Sequence, residues 1–176
     1  MKRYTLPAMA LHWLMAALIL VALPLGLTMV DLPLSPHKLQ LYAWHKWIGI
    51  TVLGLWGLRV IWRLTHIPPA MPAGMPRWQH EAAEWTHRLL YLLMVLIPLT
   101  GWMMSSALGF SVVWLGLWKL PDMVAPNHAF GETLKHVHAW LNDGLMAAIG
   151  LHLVAVLQHQ FIMKDHLLRR MLPGRE

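Results

Sequence analysis

The chain has 176 residues, of which 57% are hydrophobic and only 12% are charged. An ordinary soluble domain carries roughly 25% charged residues, so this composition predicts a membrane protein, and the length predicts a single domain. The absence of cysteine excludes disulfides within the chain, iron–sulfur clusters, thiolate nucleophiles and covalently attached c-type haem. Twelve histidines and a net charge of +6 remain, and the positions of these residues carry the further information.

The first predicted span covers residues 7–30 and follows Lys2 and Arg3. Its uncharged run is long enough to cross a bilayer and lacks a small-residue cleavage site, so we expect a retained helix rather than a signal peptide. His12 lies nine residues beyond Arg3, about 13 Å along the helix. Because a histidine inside a span is costly, we expect this residue to have a function.

The second predicted span, residues 43–64, follows a loop over residues 31–42 in which Pro33 and Pro36 are expected to break the helix. His45 lies at the start of this span, at the opposite membrane face from the N-terminus. Arg59 and Arg63 lie four residues apart on one face near its end. They indicate either a solvated, positively charged helix end or, for Arg59, a guanidinium group that binds a haem propionate.

A proline-rich loop over residues 65–79 precedes the third predicted span, residues 82–107, which contains His87 and Arg88 near its start. Residues 108–131 hold two prolines and two tryptophans, Trp114 and Trp118, and too few apolar residues remain in them for another crossing. We therefore expect a cap of short interfacial helices there. The fourth predicted span, residues 133–163, ends at Lys164, before a basic tail.

The fourth span carries the most informative histidines. His138 and His152 are fourteen residues apart, which places them on nearly the same helix face and about 21 Å apart. Because the hydrocarbon core of a bilayer is about 30 Å thick, one helix thus offers one imidazole to each leaflet. This pattern predicts two haems stacked across the membrane, each of which takes one axial ligand from this helix.

The depth of the other histidines predicts the second ligand of each haem. His45 and His138 both begin a span on the outer side, so they are expected to share an outer haem. His12 and His152 both lie within the inner leaflet, about 13 Å and about 18 Å from the nearest terminal basic residues, so they are expected to share an inner haem.

His87 and His159 lie closer to the inner membrane surface and remain unassigned by this pairing. They either form a third ligand pair or line a substrate site, and an interfacial histidine that reaches water is a further interpretation of His159. A di-metal enzyme would require clustered histidines and carboxylates, and the sequence shows no such cluster. Other histidines are expected to be solvated loop residues, namely His37, His66, His80, His128 and His166.

The positive residues predict the topology. Ten lysines and arginines fall on the side of the chain termini, against four on the other side. The four are Lys38, Lys46, Lys119 and Lys135. By the positive-inside rule, both termini are expected to be cytoplasmic.

Four segments of the chain are distinctive. They are LHW around His12, AWHKWIGI at the start of the second span, HVHAWLNDGLMAAIGLH in the fourth span and KDHLLRRMLP in the tail. Together they resemble the bacterial cytochrome b561 family of di-haem b proteins, over essentially the whole chain. The resemblance implies an all-α, four-helix transmembrane bundle in the bacterial inner membrane. It also carries the axial ligands of the family to His12, His45, His138 and His152, in agreement with the depth pairing.

The resemblance also implies a function. Members of the family include a superoxide oxidase that passes electrons from superoxide to ubiquinone, and their fold is similar to that of the haem b subunits of hydrogenases and formate dehydrogenases. One hypothesis is therefore an enzyme that oxidises superoxide outside and reduces ubiquinone inside. The other is a non-catalytic module that relays electrons from a periplasmic redox protein. The short, capped outer loops favour the enzyme.

For the enzyme, the residues predict two further sites in addition to the haems. His159 is expected to bind the quinone and supply a proton, together with His87 or Arg88. Lys46 and Lys135 are expected to steer superoxide towards the outer haem, although they are also compatible with simple loop solvation. Gln160 departs from the family, in which a second histidine is familiar at this place. Membrane lipid is the expected surrounding, and no nucleic-acid partner is expected.

Overall fold

The structure is a computed structural model that describes residues 3–70 and 75–174. The described residues form four long helices: α1 (Leu6–Asp31), α2 (Pro36–Thr65), α3 (Arg77–Ala107) and α4 (His128–Leu157). A π-helix (Gln158–Met163) continues α4, and a short 3₁₀ helix (Leu167–Met171) follows. All four long helices are long and apolar enough to cross a membrane, which confirms the predicted all-α transmembrane bundle.

The apolar side chains of the helices mostly face outward. Leu20 on α1, Ile61 on α2 and Trp140 on α4 are 60%, 61% and 71% exposed. The internal core is small and centres on three buried residues of α3 and α4, Leu93, Leu145 and Ala148, against which side chains of α1 also pack. An apolar surface of this extent is characteristic of a protein covered by lipid.

The starts of α2 and α4 are set by capping residues. The expectation that Pro36 breaks the helix is wrong, because α2 begins at this residue, seven residues before the predicted span. The Ser35 side chain accepts a hydrogen bond from the backbone N–H of Lys38 at 3.2 Å. A proline in the first turn is compatible with a helix, since its missing N–H would have no helical partner. Asn127 caps α4 in the same way as Ser35 caps α2.

Between α3 and α4 the chain forms a β-hairpin, so the predicted cap of short helices is wrong. Strand β1 (Val113–Trp114) pairs antiparallel with β2 (Trp118–Lys119). In the turn between them, Leu115 and Gly116 have φ values of 53° and 70°. This left-handed conformation is incompatible with a right-handed helix. The rings of Trp114 and Trp118 stack with their centroids 5.6 Å apart, which adds a cross-strand contact.

Two tryptophans attach this hairpin to α2. Trp47 Nε1 donates a hydrogen bond to the carbonyl oxygen of Val113 at 2.7 Å, and Trp114 Nε1 donates to Thr51 Oγ1 at 3.1 Å. The hairpin therefore lies against the first half of α2. We call this end of the bundle the hairpin side.

At the opposite end, which we call the terminal side, the two ends of the chain meet. The backbone N–H of Tyr4 donates to the carbonyl oxygen of Arg170 at 3.1 Å, and Trp13 Nε1 donates to the carbonyl oxygen of Met171 at 2.7 Å. Arg170 is buried and reaches the carbonyl oxygen of Ala70 with its guanidinium at 2.8 Å. The 3₁₀ helix is thus fixed between the start of α1 and the segment that follows α2.

Candidate functional site

Two histidines face each other near the hairpin side. His45 on α2 and His138 on α4 have ring centroids 6.3 Å apart, with an angle of 79° between the ring planes. Both side chains are partly buried within the bundle. The structure therefore brings together the residues predicted to share the outer haem.

Three histidines meet nearer the terminal side. The ring centroids of His12 on α1 and His152 on α4 are 6.4 Å apart, with an interplanar angle of 72°. His87 on α3, predicted at the quinone site, lies against the same imidazole of His152, with centroids 5.4 Å apart. The second predicted ligand pair is thus brought together, with a third imidazole beside it.

The separation of the rings can be compared with what a single iron ion requires. A metal lies about 2 Å from a ligating imidazole nitrogen, and that nitrogen lies about 1.1 Å from the centre of its ring. Two imidazoles on opposite sides of one iron therefore have centroids about 6.2 Å apart. The His45–His138 and His12–His152 separations, 6.3 and 6.4 Å, agree with this value, so both pairs fit a bis-histidine haem.

The Nδ1 atoms of His45 and His138 each contact a backbone carbonyl oxygen. His45 Nδ1 lies 3.1 Å from the carbonyl oxygen of Ala22, and His138 Nδ1 lies 3.1 Å from that of Ile97. Thr100 Oγ1 is a further partner of His138 Nδ1, at 3.2 Å. A bond from Nδ1–H to a carbonyl fixes the imidazole tautomer in which Nε2 carries the free lone pair. In this tautomer, Nε2 of both rings is free to bind a metal.

A glycine allows each of these rings to approach the preceding helix. A Cβ atom on Gly26 would lie 3.0 Å from His45 Cε1, and one on Gly101 would lie 3.1 Å from His138 Cε1. Each glycine lies four residues, one helical turn, after the carbonyl that binds the imidazole. The two ligand sites on the hairpin side are therefore built in the same way, on α1 and on α3.

Arg59, the predicted propionate ligand, lines a cavity of about 310 Å³ on the terminal side. Its Nε donates a hydrogen bond to the Tyr91 hydroxyl at 2.8 Å, and the Arg63 guanidinium lies over the Tyr91 ring, 5.6 Å from its centroid. Arg3 also lines the cavity, whereas no aspartate or glutamate among the described residues does so. A cavity with this charge suits the carboxylates of a haem propionate.

His159, the predicted quinone residue, lies on the π-helix. Its Nδ1 is 2.5 Å from a carboxylate oxygen of Asp165, and both side chains are largely buried. Arg88 instead forms an ion pair with Glu84 and lies over the ring of Trp85. The quinone roles of His87, Arg88 and His159 remain predictions.

The two lysines predicted to steer superoxide lie in different environments. Lys46 is partly buried, and its ammonium group donates to Ser105 Oγ at 3.2 Å. Lys135 is exposed and forms an ion pair with Glu132 at 3.3 Å. The charge of Lys135 is therefore offset locally by Glu132, whereas the Ser105 hydroxyl that binds Lys46 is neutral.

Sequence reasoning did not identify several residues of these sites. Gly26, Gly101, Tyr91, Ser105 and Asp165 each contact a predicted site residue through the tertiary fold. For Gly26 and Gly101 the sequence offered one signal, a glycine inside an apolar helix. Glycine destabilises a helix, so its presence there indicates that another group approaches the backbone closely. The expectation for the lone histidines is also partly wrong. Nδ1 of His166 is buried rather than solvated, and His37, His80 and His128 lie in α2, α3 and α4 rather than in loops.

Comparison with known proteins agrees with this architecture. The family model described as prokaryotic cytochrome b561 matches residues 3–174. Cytochrome b561 homolog 2 of Escherichia coli (strain K12) is 32% identical over 97% of this chain and 92% of its own length. The probable superoxide oxidase CybB of Yersinia pestis is 30% identical over 98% of this chain and 97% of its own. Cytochrome b561 homolog 1 of the same E. coli strain is 30% identical over the full length of both chains. This chain therefore belongs to the prokaryotic cytochrome b561 family, and is a multi-pass membrane protein of electron transfer whose family membership implies b-type haem.

Proposed function

We propose that the chain binds two b haems, one between His45 and His138 and one between His12 and His152. The observation that carries this proposal is the pair of ring separations, 6.3 and 6.4 Å, on two different sets of helices. Arg59 would bind a propionate of the haem on the terminal side. When bound, such haems would accept and donate single electrons.

We propose further that the chain is a superoxide:quinone oxidoreductase of the bacterial inner membrane, with both termini in the cytoplasm. Superoxide would be oxidised on the hairpin side and ubiquinone reduced near His159 on the terminal side. Two features support this assignment. The similarity to a probable superoxide oxidase extends over nearly the whole chain, and Lys46 offers a positive charge one residue from His45 to a small anion.

In this function, the residues of the chain position the reactants and move protons. Ala22 and Ile97 hold the two imidazoles on the hairpin side through their carbonyl groups. Lys46 attracts the anion, which needs no shaped pocket. His159 binds a quinone oxygen and supplies a proton to it. Overall, two superoxide anions are oxidised to two molecules of dioxygen, while one quinone takes up two electrons and two protons.

A second candidate is a relay module that accepts electrons from a periplasmic redox protein. The observation that favours it is the apolar surface of the hairpin side, where Phe110, Leu117 and Trp118 are 64%, 73% and 58% exposed. Exposed apolar residues of this kind are common where a partner protein docks.

One experiment separates the two candidates. The purified protein is reconstituted with ubiquinone in liposomes, superoxide is generated outside, and both haem absorbance and quinol formation are followed. We expect haem reduction and quinol formation that superoxide dismutase abolishes. Haems that superoxide fails to reduce, but that a periplasmic redox protein reduces, would support the relay module instead.

The ligand assignment has its own test. In His138→Ala we expect one haem per chain by pyridine haemochrome quantification, with the haem on the terminal side retained, and in His152→Ala we expect the reverse. Two full haems in either variant would refute the pairing. His136→Ala is the matched control, because His136 lies two residues from His138 and is exposed.

A further inference from the structure

The end of α4 departs from regular helical geometry at His159. The π-helix spans the six residues Gln158–Met163, and the residues Lys164 and His166 that follow it have left-handed φ values of 54° and 58°. Neither residue is a glycine, so this conformation is unfavourable unless other contacts maintain it. π-helical segments are frequent at functional sites, and here the segment turns the chain back on itself.

The turn places the Asp165 carboxylate on His159. One carboxylate oxygen lies 2.5 Å from His159 Nδ1, and the other accepts a hydrogen bond from the backbone N–H of Leu167 at 3.2 Å. Asp165 is therefore held from both sides. The His159 and Asp165 side chains are only 14% and 26% exposed, so bulk water screens their contact weakly.

This contact determines which nitrogen of His159 is available. A carboxylate that accepts a hydrogen bond from Nδ1–H fixes the ring orientation and leaves Nε2 for another group. The same arrangement orients the general base of hydrolases. Residue 160 is glutamine, whose side-chain amide does not act as an acid or a base. His159 is therefore the one imidazole of the π-helix.

The surroundings offer hydrogen-bonding groups to a polar ligand. Three buried side-chain atoms have no hydrogen-bond partner within the part of the chain that the structure describes: Gln79 Oε1, Gln160 Oε1 and His166 Nδ1. Gln79 reaches the end of the π-helix, with its Nε2 atom 3.9 Å from Met163 Sδ. Buried polar atoms are normally hydrogen-bonded, so these three atoms are available to a polar ligand or to water.

We propose that Asp165 is a positioning residue for quinone reduction, which holds His159 so that its Nε2 delivers a proton to a quinone oxygen. This inference rests on the proposed reduction of ubiquinone on the terminal side. For each transfer, Nε2 first accepts a proton from water on that side. This N–H bond then breaks as the O–H bond of the quinol forms, while the proton on Nδ1 stays in its hydrogen bond to Asp165. After two such transfers and two electrons from two superoxide anions, the quinone leaves as quinol.

The test compares two substitutions of Asp165. Asp165→Asn keeps the size of the side chain and removes its charge, whereas Asp165→Glu keeps the charge. We expect kcat for ubiquinone reduction to fall by about tenfold or more in Asp165→Asn, with KM for quinone and quinone binding in equilibrium dialysis unchanged. Asp165→Glu should recover part of kcat. Glu81→Gln is the matched control, since it removes an exposed carboxylate from the same side.

The measurement uses an excess of a chemical reductant that keeps reducing the haems, so that kcat and KM for ubiquinone are obtained without superoxide. Reoxidation of the haems by ubiquinone in the wild-type protein tests the proposed function. If ubiquinone does not reoxidise the wild-type haems, the proposed quinone reduction is wrong. If the wild-type haems are reoxidised, an unchanged rate in Asp165→Asn overturns the role of Asp165. A raised KM with equal loss in Asp165→Asn and Asp165→Glu also overturns it, because it indicates only that the tail has lost its structure.

Discussion

Gly26 and Gly101 destabilise α1 and α3 locally, but they leave space for an imidazole from another helix. In a helix interior, replacement of glycine by alanine normally stabilises the helix by about 1 kcal/mol. At these two positions, the added Cβ would lie 3.0 and 3.1 Å from an imidazole, so the ring would have to move by a few tenths of an ångström. That displacement would weaken the hydrogen bond from Nδ1 to the helix carbonyl and change the direction in which Nε2 points.

For Gly101→Ala we therefore expect loss of the haem proposed to lie between His45 and His138. Haem content should fall from two towards one per chain by pyridine haemochrome quantification. Gly54→Ala is the matched control, because a Cβ at Gly54 meets nothing within 4 Å, and this variant should keep both haems. Full haem content in Gly101→Ala would show that the imidazole tolerates the displacement.

The sequence was sufficient to predict which histidines meet, because helical rise fixes the depth of a residue within a span. His12 with His152 and His45 with His138 were paired in this way, and the structure brings both pairs together. The sequence was insufficient for His87, whose contact with His152 depends on how α3 rotates about its own axis. It was equally insufficient for Asp165, since hydropathy does not reveal a π-helix or the turn that follows it.

At the scale of elements, the four helices were predictable and their ends were less so. Apolar runs of sufficient length identify spans, but caps such as Ser35 and Asn127 extend helices beyond the apolar run. The hairpin between α3 and α4 was missed because each strand has only two residues. Its stability depends on side chains distant in sequence, such as Trp47 and Thr51, which bind it to α2.

The turn of this hairpin contains an unfavourable residue. Leu115 has a φ of 53°. This left-handed conformation raises the energy of a residue with a Cβ atom by roughly 1–2 kcal/mol, and asparagine adopts it more readily than leucine. Leu115→Asn should therefore stabilise the protein and raise its unfolding midpoint by about 2–4 °C for each kcal/mol gained. Thermal unfolding in detergent, followed by circular dichroism, measures this change. Leu117→Asn, in the same loop without a left-handed φ, is the control, and an equal rise in both variants would contradict the argument.

At the scale of the whole molecule, the charge distribution favours an orientation that the fold alone does not determine. Described basic residues of the terminal side, such as Arg63 and Arg169, outnumber the four lysines of the hairpin side. We expect the terminal side to be cytoplasmic. Because the chain has no cysteine, single cysteines report on this directly. A membrane-impermeant maleimide should label Leu117→Cys in intact spheroplasts, and Ile67→Cys only after lysis. The reverse pattern would invert the topology.

The charge on the hairpin side determines how a small anion would approach. The Lys135 ammonium is paired with Glu132, so from a distance the two charges largely cancel. Lys46 is partly buried and held by the neutral Ser105 hydroxyl. It adjoins His45 in sequence, so a positive charge remains close to the site of the proposed haem. Of the two lysines predicted to steer superoxide, Lys46 is therefore expected to have the larger effect.

We expect Lys46→Gln to slow haem reduction by superoxide by about tenfold, the lower limit of typical electrostatic steering, with both haems retained. Lys135→Gln is the matched control, and its rate should change by less than about twofold, because an exposed ion pair contributes little. The wild-type rate should also fall with rising ionic strength, since salt screens the attraction, and Lys46→Gln should reduce this dependence. Stopped-flow absorbance after mixing with superoxide measures all three quantities. A rate that neither salt nor Lys46 alters would show that positive charge does not steer superoxide to the haem. It would favour electron delivery by a docked protein on the hairpin side.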